Sequence, residues 1–230
     1  MNTDKKLARI AGILFIIATV ASMIGVLGFT KPILDDPDYL AKLAASEDKV
    51  LIGSLFRIIA AFASAGIAIF LYPVLRRQNE GLSLGAVSFR VVEGVFYLIG
   101  VMVTLALLSL SQDFVRGSLG DASSFQVVGD SLLAIQDWTG DVFGVVAFVL
   151  GAFLYYIVFY QSKLIPRWLS IWGVVGLVPL LISVLLVMFS IIPPLGVVQG
   201  VMAAPIGLQE LVLAVWLIVK GFNPSTIDSK

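Results

Sequence analysis

The sequence predicts an all-α fold: a polytopic integral membrane bundle of six transmembrane helices that forms one domain over residues 1–230. Hydrophobic residues make up 59% of the chain and charged residues 13%, which is half of the roughly 25% charge of a soluble domain. The mean hydropathy is +1.03. Apolar runs of about 20 residues, the length of a membrane-crossing helix, recur between breaks with charge, glycine or proline. We therefore expect the chain to lie in a lipid bilayer.

The apolar runs place the six spans along most of the chain. The predicted boundaries are 7–29, 50–75, 84–111, 138–161, 168–192 and 197–220. Lys5 and Lys6 ahead of the first run resemble the start of a signal peptide. That run is longer than the roughly 7 to 15 apolar residues of a signal peptide, which favours a retained first helix. Pro193, Pro194 and Leu195 make a tight hairpin between the last two spans.

The two longer outer loops, 30–49 and 120–137, are each predicted to contain a short amphipathic helix. In the first loop, Asp36 and Pro37 form a helix start. In the second, apolar residues recur at helical spacing from near Asp121 towards the fourth span. These residues are Phe125, Val128, Leu132 and Ile135. Two interpretations stay open for both helices: they cap the bundle, or they form a lid over an outward cavity.

Lysine and arginine are distributed unevenly between the two sides of the predicted bundle. If the N-terminus is cytoplasmic, the inner segments hold nine of these residues and the outer segments four. Cytoplasmic loops of membrane proteins carry such an excess, so we expect both termini in the cytoplasm. This predicts a multi-pass protein of the cell membrane, that is, the inner or plasma membrane. The formal net charge is zero, so no basic excess points to nucleic acid.

The chain contains no histidine and no cysteine. Their absence excludes disulfides, thiolate nucleophiles, histidine-based zinc and haem sites, and triads that need histidine or cysteine. Phosphate-binding loops and dinucleotide fingerprints are absent from the sequence as well. We therefore predict no catalytic residue, no cofactor and no metal.

Ionisable residues inside the predicted spans are the candidates for function. They are Arg57, Arg90, Glu93, Asp141 and Glu210. An ionisable group in hydrocarbon costs several kcal/mol unless it is paired or hydrated, so each is a candidate for binding a ligand or ion. Glu210 has no positive neighbour within its own helix and is the strongest candidate.

The third span carries a polar stripe that should face the bundle interior. Arg90, Glu93, Tyr97, Thr104 and Ser111 recur at steps that keep them on one side of a helix. Tyr97 therefore joins the candidate site residues. Depth in the membrane predicts pairing of Arg57 with Asp141, and of Arg90 with Glu93 within reach of Glu210. The alternative is structural, because buried ion pairs also fix which helices pack together.

Short motifs spread over the chain carry a resemblance to a known family. They are LARIAGIL at 7–14, LFR at 55–57, SFR at 88–90, KLIPRW at 163–168, and Glu210 with LIVKG at 217–221. On these residues the chain resembles a bacterial six-span family known as domain of unknown function 4386. The family pattern can place a histidine beside the aspartate of the fourth span. This chain has Gln136 before Asp137, which weakens any role built on that pair. The resemblance implies six helices in a membrane and implies no activity.

Three functions fit these observations. The first is binding or transport of a small molecule or ion through a polar intramembrane site. The second is a non-catalytic partner or regulatory subunit, which contacts another membrane protein through its acidic outer loops. Assembly into a homo-oligomer stays open as a separate alternative. The least favoured is an intramembrane enzyme that acts on lipid with Glu93 or Asp141 as base. A cavity lined by the charged residues would favour the first function, and a dry core with every charge paired would favour the second.

Overall fold

The computed structural model describes residues 3–117 and 122–223, and in these ranges it contains helices and no strands. Six helices are long and apolar enough to cross a membrane. They are Thr3–Leu34, Glu47–Leu75, Glu80–Arg116, Ala122–Ser162, Arg167–Met188 and Val197–Val219, named the first to sixth spans below. The all-helical, six-span prediction is confirmed, and the chain is a multi-pass membrane protein.

The first and fourth spans each contain a π-helical segment, which the sequence did not predict. The first span consists of α1 (Thr3–Met23), π1 (Ile24–Thr30) and α2 (Lys31–Leu34). The fourth consists of α6 (Ala122–Asp137), π2 (Trp138–Gly144) and α7 (Val145–Ser162). In π1, the Thr30 hydroxyl donates to the Gly25 carbonyl over 2.8 Å. Segments of this kind are rare and frequently lie at functional sites.

The remaining elements are ordinary α-helices. They are α3 (Tyr39–Ala45), α4 (Glu47–Leu75), α5 (Glu80–Arg116), α8 (Arg167–Met188) and α9 (Val197–Val219). The third span, α5, begins where the Asn79 side chain accepts a hydrogen bond from the Leu82 amide. It ends at Gly117, whose φ of 63° suits glycine. These two caps define where α5 begins and ends.

The six spans form a closed ring. Each span packs against the next along the chain, and the sixth packs against the first. The closure depends on Gly12, because a Cβ at this position would lie 2.7 Å from the Ala214 carbonyl oxygen. Helices on opposite sides of the ring have almost no backbone contact. The interior is therefore left to side chains and cavities.

The two ends of the ring differ in charge. The end formed by 30–46, 122–137 and 189–196 is called the acidic end. The opposite end, formed by 76–79, 163–166 and the described chain ends at 3 and 223, is called the basic end. The larger apolar core fills the half of the ring next to the basic end. A smaller cluster packs α3 against α5 near the acidic end.

Both of the longer connections contain helical residues. The first contains α3, whereas α6 continues without a break through π2 into the fourth span. The predicted start near Asp121 lies outside the described residues. The Tyr39 hydroxyl donates to the Asp130 carboxylate over 2.9 Å and so joins α3 to α6. That these segments are amphipathic and lie against the outer membrane face stays a prediction.

Candidate functional site

Two adjoining cavities lie inside the ring. The first, called the end cavity, has a volume of about 330 Å³ and lies towards the acidic end. The second, called the central cavity, has a volume of about 290 Å³ and lies deeper. Both are lined by Ser22, Ala60, Tyr97 and Val145. The shared lining indicates one continuous space that runs from the acidic end to the level of Glu210.

The central cavity contains the predicted ion pair of α5. Arg90 Nη1 lies 3.1 Å from Glu93 Oε2, and the two side chains are 2% and 3% exposed. Glu93 Oε1 accepts a hydrogen bond from Ser64 on α4 over 2.7 Å. The Arg90 guanidinium lies over the Phe148 ring of α7, 4.8 Å from its centroid. The ion pair thus contacts the second and fourth spans at once.

Two glycines let the helices around this pair approach each other closely. A Cβ at Gly151 of α7 would lie 2.9 Å from Arg90 Cγ, so a side chain there would displace the arginine. A Cβ at Gly94 of α5 would lie 3.2 Å from the Ala61 carbonyl of α4. Small residues let membrane helices approach this closely. The packing therefore fixes the position of the pair.

Several polar atoms of the ion pair have no hydrogen-bond partner among the described residues. These are Nε and Nη1 of Arg90 and Oε2 of Glu93, since the close Nη1–Oε2 contact lacks hydrogen-bond geometry. Buried polar groups in proteins are almost always hydrogen-bonded. These three atoms have almost no surface open to the cavity, so they hold unmet hydrogen-bonding capacity inside the packed pair.

Glu210 lines the central cavity from the sixth span. Its Oε1 accepts a hydrogen bond from the Tyr155 hydroxyl over 3.3 Å. Among the described residues, no nitrogen of Arg90 lies within 4 Å of a carboxylate oxygen of Glu210, so the two do not form an ion pair. Arg90 and Glu210 therefore line the same cavity but do not contact each other directly.

A hydrogen-bonded network beside Glu210 was missed by the sequence analysis. The Tyr156 hydroxyl donates to Gln209 Oε1. Gln209 Nε2 donates to the Leu169 carbonyl over 2.9 Å. This network links the fourth, fifth and sixth spans. The available signal was Gln209 itself, an amide beside Glu210 in an otherwise apolar run.

The hydroxyls of Thr19 and Ser22 line the central cavity from α1. Within the described part of the chain, neither makes a hydrogen bond. Hydroxyls inside helices commonly bond to a carbonyl of the preceding turn. Ser88 does so in α5, where it donates to the Leu84 carbonyl. Thr19 and Ser22 therefore present free oxygen atoms to the cavity.

The end cavity holds Arg57 and Asp141, which the sequence predicted as a pair. The structure does not form that pair, since no ion pair within 4 Å joins these two described residues. Arg57 Nη1 instead donates to Thr104 Oγ1 over 2.8 Å, and Thr104 donates to Gln136 over 2.5 Å. Both side chains line the same cavity, but equal depth does not set the distance between them across it, which is why depth alone was insufficient.

Ion pairs and hydrogen bonds surround the opening at the acidic end. Lys31 pairs with Asp35 at 2.7 Å on the rim of the end cavity. Further out, a hydrogen bond from Lys42 lowers the pKa of Asp36 below its usual value. The pKa of Tyr39 is raised above its usual range. Burial of the hydroxyl is the larger cause, and its hydrogen bond to Asp130 is the second. The rim is therefore ordered by contacts within the chain.

Aromatic packing closes the ring towards the basic end. Phe15 contacts Tyr155, Tyr155 contacts Phe159 and Phe159 contacts Phe222, with ring centroids 6.0–6.3 Å apart. Tyr155 and Phe159 are fully buried. The cavities therefore extend from the centre towards the acidic end and not towards the basic end.

The chain was compared with known proteins. No curated protein and no solved structure matches it. The model of a family described as "Domain of unknown function (DUF4386)" matches residues 10–221. This match confirms the resemblance seen in the short motifs and covers all six spans. The chain belongs to the DUF4386 family.

Proposed function

We propose that this protein binds a small polar molecule or ion in the central cavity and exchanges it through the end cavity, as a carrier or binding protein. The observation that carries the proposal is a cavity inside the ring that is lined by the charged side chains of Arg90 and Glu93, although both residues lie within a membrane-spanning helix. Tyr97 and Glu210 line the same space. A scaffold or regulatory subunit would not need such a cavity, which favours ligand binding over that alternative.

The end cavity supplies the route in this proposal. Arg57 uses one of its N–H groups on Thr104, and Asp141 makes no ion pair or hydrogen bond within the described residues. Both therefore offer charge to a polar ligand on its way to the centre. The Tyr39–Asp130 hydrogen bond beside this end is placed to act as a latch between α3 and α6.

We further propose that the acidic end faces outwards from the cell membrane of a bacterium and that both termini are cytoplasmic. Support comes from the lysines and arginines near the basic end, which the positive-inside tendency places in the cytoplasm. In this orientation the ligand enters from outside. The amphipathic outer helices then cover the entrance as a lid.

Ligand binding is tested with two matched substitutions on α9. Ala203 lines the central cavity, whereas the adjacent Ala204 is exposed on the outer surface of the ring. The melting temperature of the purified protein is measured against a panel of amino acids, amines, sugars and phospholipids. At least one compound should raise the Tm of the wild type and of Ala204→Phe, but not of Ala203→Phe. The proposal fails if no compound acts, or if Ala203→Phe responds like the wild type.

Water access and orientation are tested by cysteine labelling, because the chain has no native cysteine. Ala60 lines both cavities, whereas Phe62 is 66% exposed on the outer surface of the ring. A membrane-impermeant thiol reagent should label Ala60→Cys from outside intact cells and leave Phe62→Cys unlabelled. Labelling of Ala60→Cys only in inside-out vesicles would reverse the orientation, and no labelling on either side would contradict a hydrated interior.

A further inference from the structure

We infer that the central cavity binds a compact monovalent cation, either a metal ion or a primary ammonium group, between the first and sixth spans. The ligands are the Glu210 carboxylate and the hydroxyls of Thr19 and Ser22. This inference rests on the proposed function and specifies the charge and size of what the site binds.

The charges that line the central cavity do not balance. Arg90 is the one cationic side chain that lines it within the described residues, and it contacts Glu93 at 3.1 Å. Glu210 is a second carboxylate on the same cavity, and its described partner is the neutral Tyr155 hydroxyl. The lining therefore carries one formal negative charge in excess. An uncompensated charge inside the bundle is unfavourable, so the excess is neutralised either by a proton or by an occupant with one positive charge, and the salt titration below distinguishes the two.

Three oxygen groups that have no partner among the described residues line this same cavity. Thr19 and Ser22 are three residues apart and share one face of α1. Their hydroxyls make no hydrogen bond within the described residues, and the same holds for Oε2 of Glu210. Hydroxyl and carboxylate oxygens can coordinate a hard metal ion or accept the N–H groups of an ammonium group.

Space for the occupant exists because the first and sixth spans pack tightly only near the basic end. There, Gly12 approaches the Ala214 carbonyl. At the level of the cavity, α9 presents Ala203 and Gly207, and a Cβ at Gly207 would have no atom within 4 Å. The volume of about 290 Å³ accommodates a dehydrated cation with a small organic group attached.

The ligand set fits a single positive charge better than a double one. The described residues contain no group of three or more Asp and Glu side chains that could hold a metal ion. Divalent ions such as Ca²⁺ usually take several carboxylates from the protein. Here one carboxylate is in excess, and Arg90 on the same cavity would repel additional positive charge.

The test measures the Tm of the full-length protein in detergent at constant ionic strength. Sodium chloride or methylammonium chloride replaces choline chloride stepwise, because choline is bulky and has no N–H donor. We expect a saturable rise of roughly 5–10 °C at a hundredfold excess over Kd. A response to sodium identifies a metal ion, and a response to methylammonium identifies an ammonium group.

Variants assign the response to the site. Glu210→Gln should abolish it, and Thr19→Val should raise the Kd about tenfold, as loss of one hydrogen bond to a charged group does. Ser109→Ala is the control, because this exposed serine donates to the Leu105 carbonyl of its own helix. Its Kd should equal that of the wild type.

The inference is wrong if neither salt gives a saturable shift, or if Glu210→Gln keeps the shift. If Glu210→Gln does not stay monodisperse, the double variant Thr19→Val with Ser22→Ala is measured instead. An unchanged Kd for the cation in this double variant would contradict the proposed site. The two proposals can fail separately. If a compound raises the Tm of the wild type but not of Ala203→Phe, and neither salt raises the Tm, then the proposed function holds and only the cation site is wrong.

Discussion

Replacing the buried Arg90 by methionine should destabilise the bundle far more than the same replacement of Arg76, which is exposed at the basic end of the ring. The guanidinium and the Glu93 carboxylate are 3.1 Å apart, and at an effective dielectric constant of about 20 their attraction is about 5 kcal/mol. The variant also loses the contact with the Phe148 ring. Because it leaves a buried carboxylate unpaired, we expect a loss of about 3–5 kcal/mol in the free energy of unfolding.

The double variant separates the ion pair from general packing. Glu93→Gln alone leaves Arg90 unpaired and should also cost about 3–5 kcal/mol. Arg90→Met with Glu93→Gln leaves neither residue charged, so it should cost no more than either single change. The non-additivity should therefore be about 3 kcal/mol or more. Its measurement requires reversible unfolding of all variants in mixed micelles with increasing denaturing detergent.

Arg76→Met is the control for this cycle, because Arg76 is exposed at the basic end. It should change the unfolding free energy by no more than about 0.5 kcal/mol. Additive costs for the two single variants, or a loss below about 1 kcal/mol for Arg90→Met, would refute the reasoning. Either result would mean that the two charges are not held together in a low-dielectric interior.

Three smaller predictions concern helix packing and the acidic end. Gly12→Ala should cost about 1–3 kcal/mol in mixed-micelle unfolding, because the new Cβ would lie 2.7 Å from a backbone oxygen of α9. Gly28→Ala, with open space, should cost far less. Lys42→Gln should return the pKa of Asp36 towards its ordinary 3.8, measured by NMR. Because the pKa of Asp36 is lower in the folded protein than in the unfolded chain, the Lys42–Asp36 contact stabilises the folded state above pH 3.8. This stabilisation is lost as the pH falls through the folded pKa of Asp36. Tyr39→Phe should speed amide exchange in α3, and unchanged exchange would contradict the latch.

The sequence predicted the features that depend on length and on residues within one helix. The thickness of the hydrocarbon core imposes a minimum run of apolar residues, and this made all six spans visible. Arg90 and Glu93 are three residues apart on one helix, so their contact follows from helix geometry alone.

Contacts between helices required the structure. Nothing in the sequence states that Thr104 rather than Asp141 contacts Arg57, since this depends on how each helix is rotated about its axis. The π-helical segments were hidden for a different reason. Each segment is only seven residues long, so the change from α-helical to π-helical winding is too brief to leave a mark on the hydrophobic pattern. The helical spacing pointed towards the fourth span, and α6 continues through π2 into that span without a break.

Closure of the ring has a consequence for chain connectivity. A Cβ at Gly221 would lie 3.7 Å from Lys5 Cγ, so the described ends of the chain meet at the basic end. A short linker between them, with new termini opened in the 76–79 turn, would keep every neighbouring pair of spans. Such a circular permutant should still fold, because the packing does not depend on which helix is synthesised first.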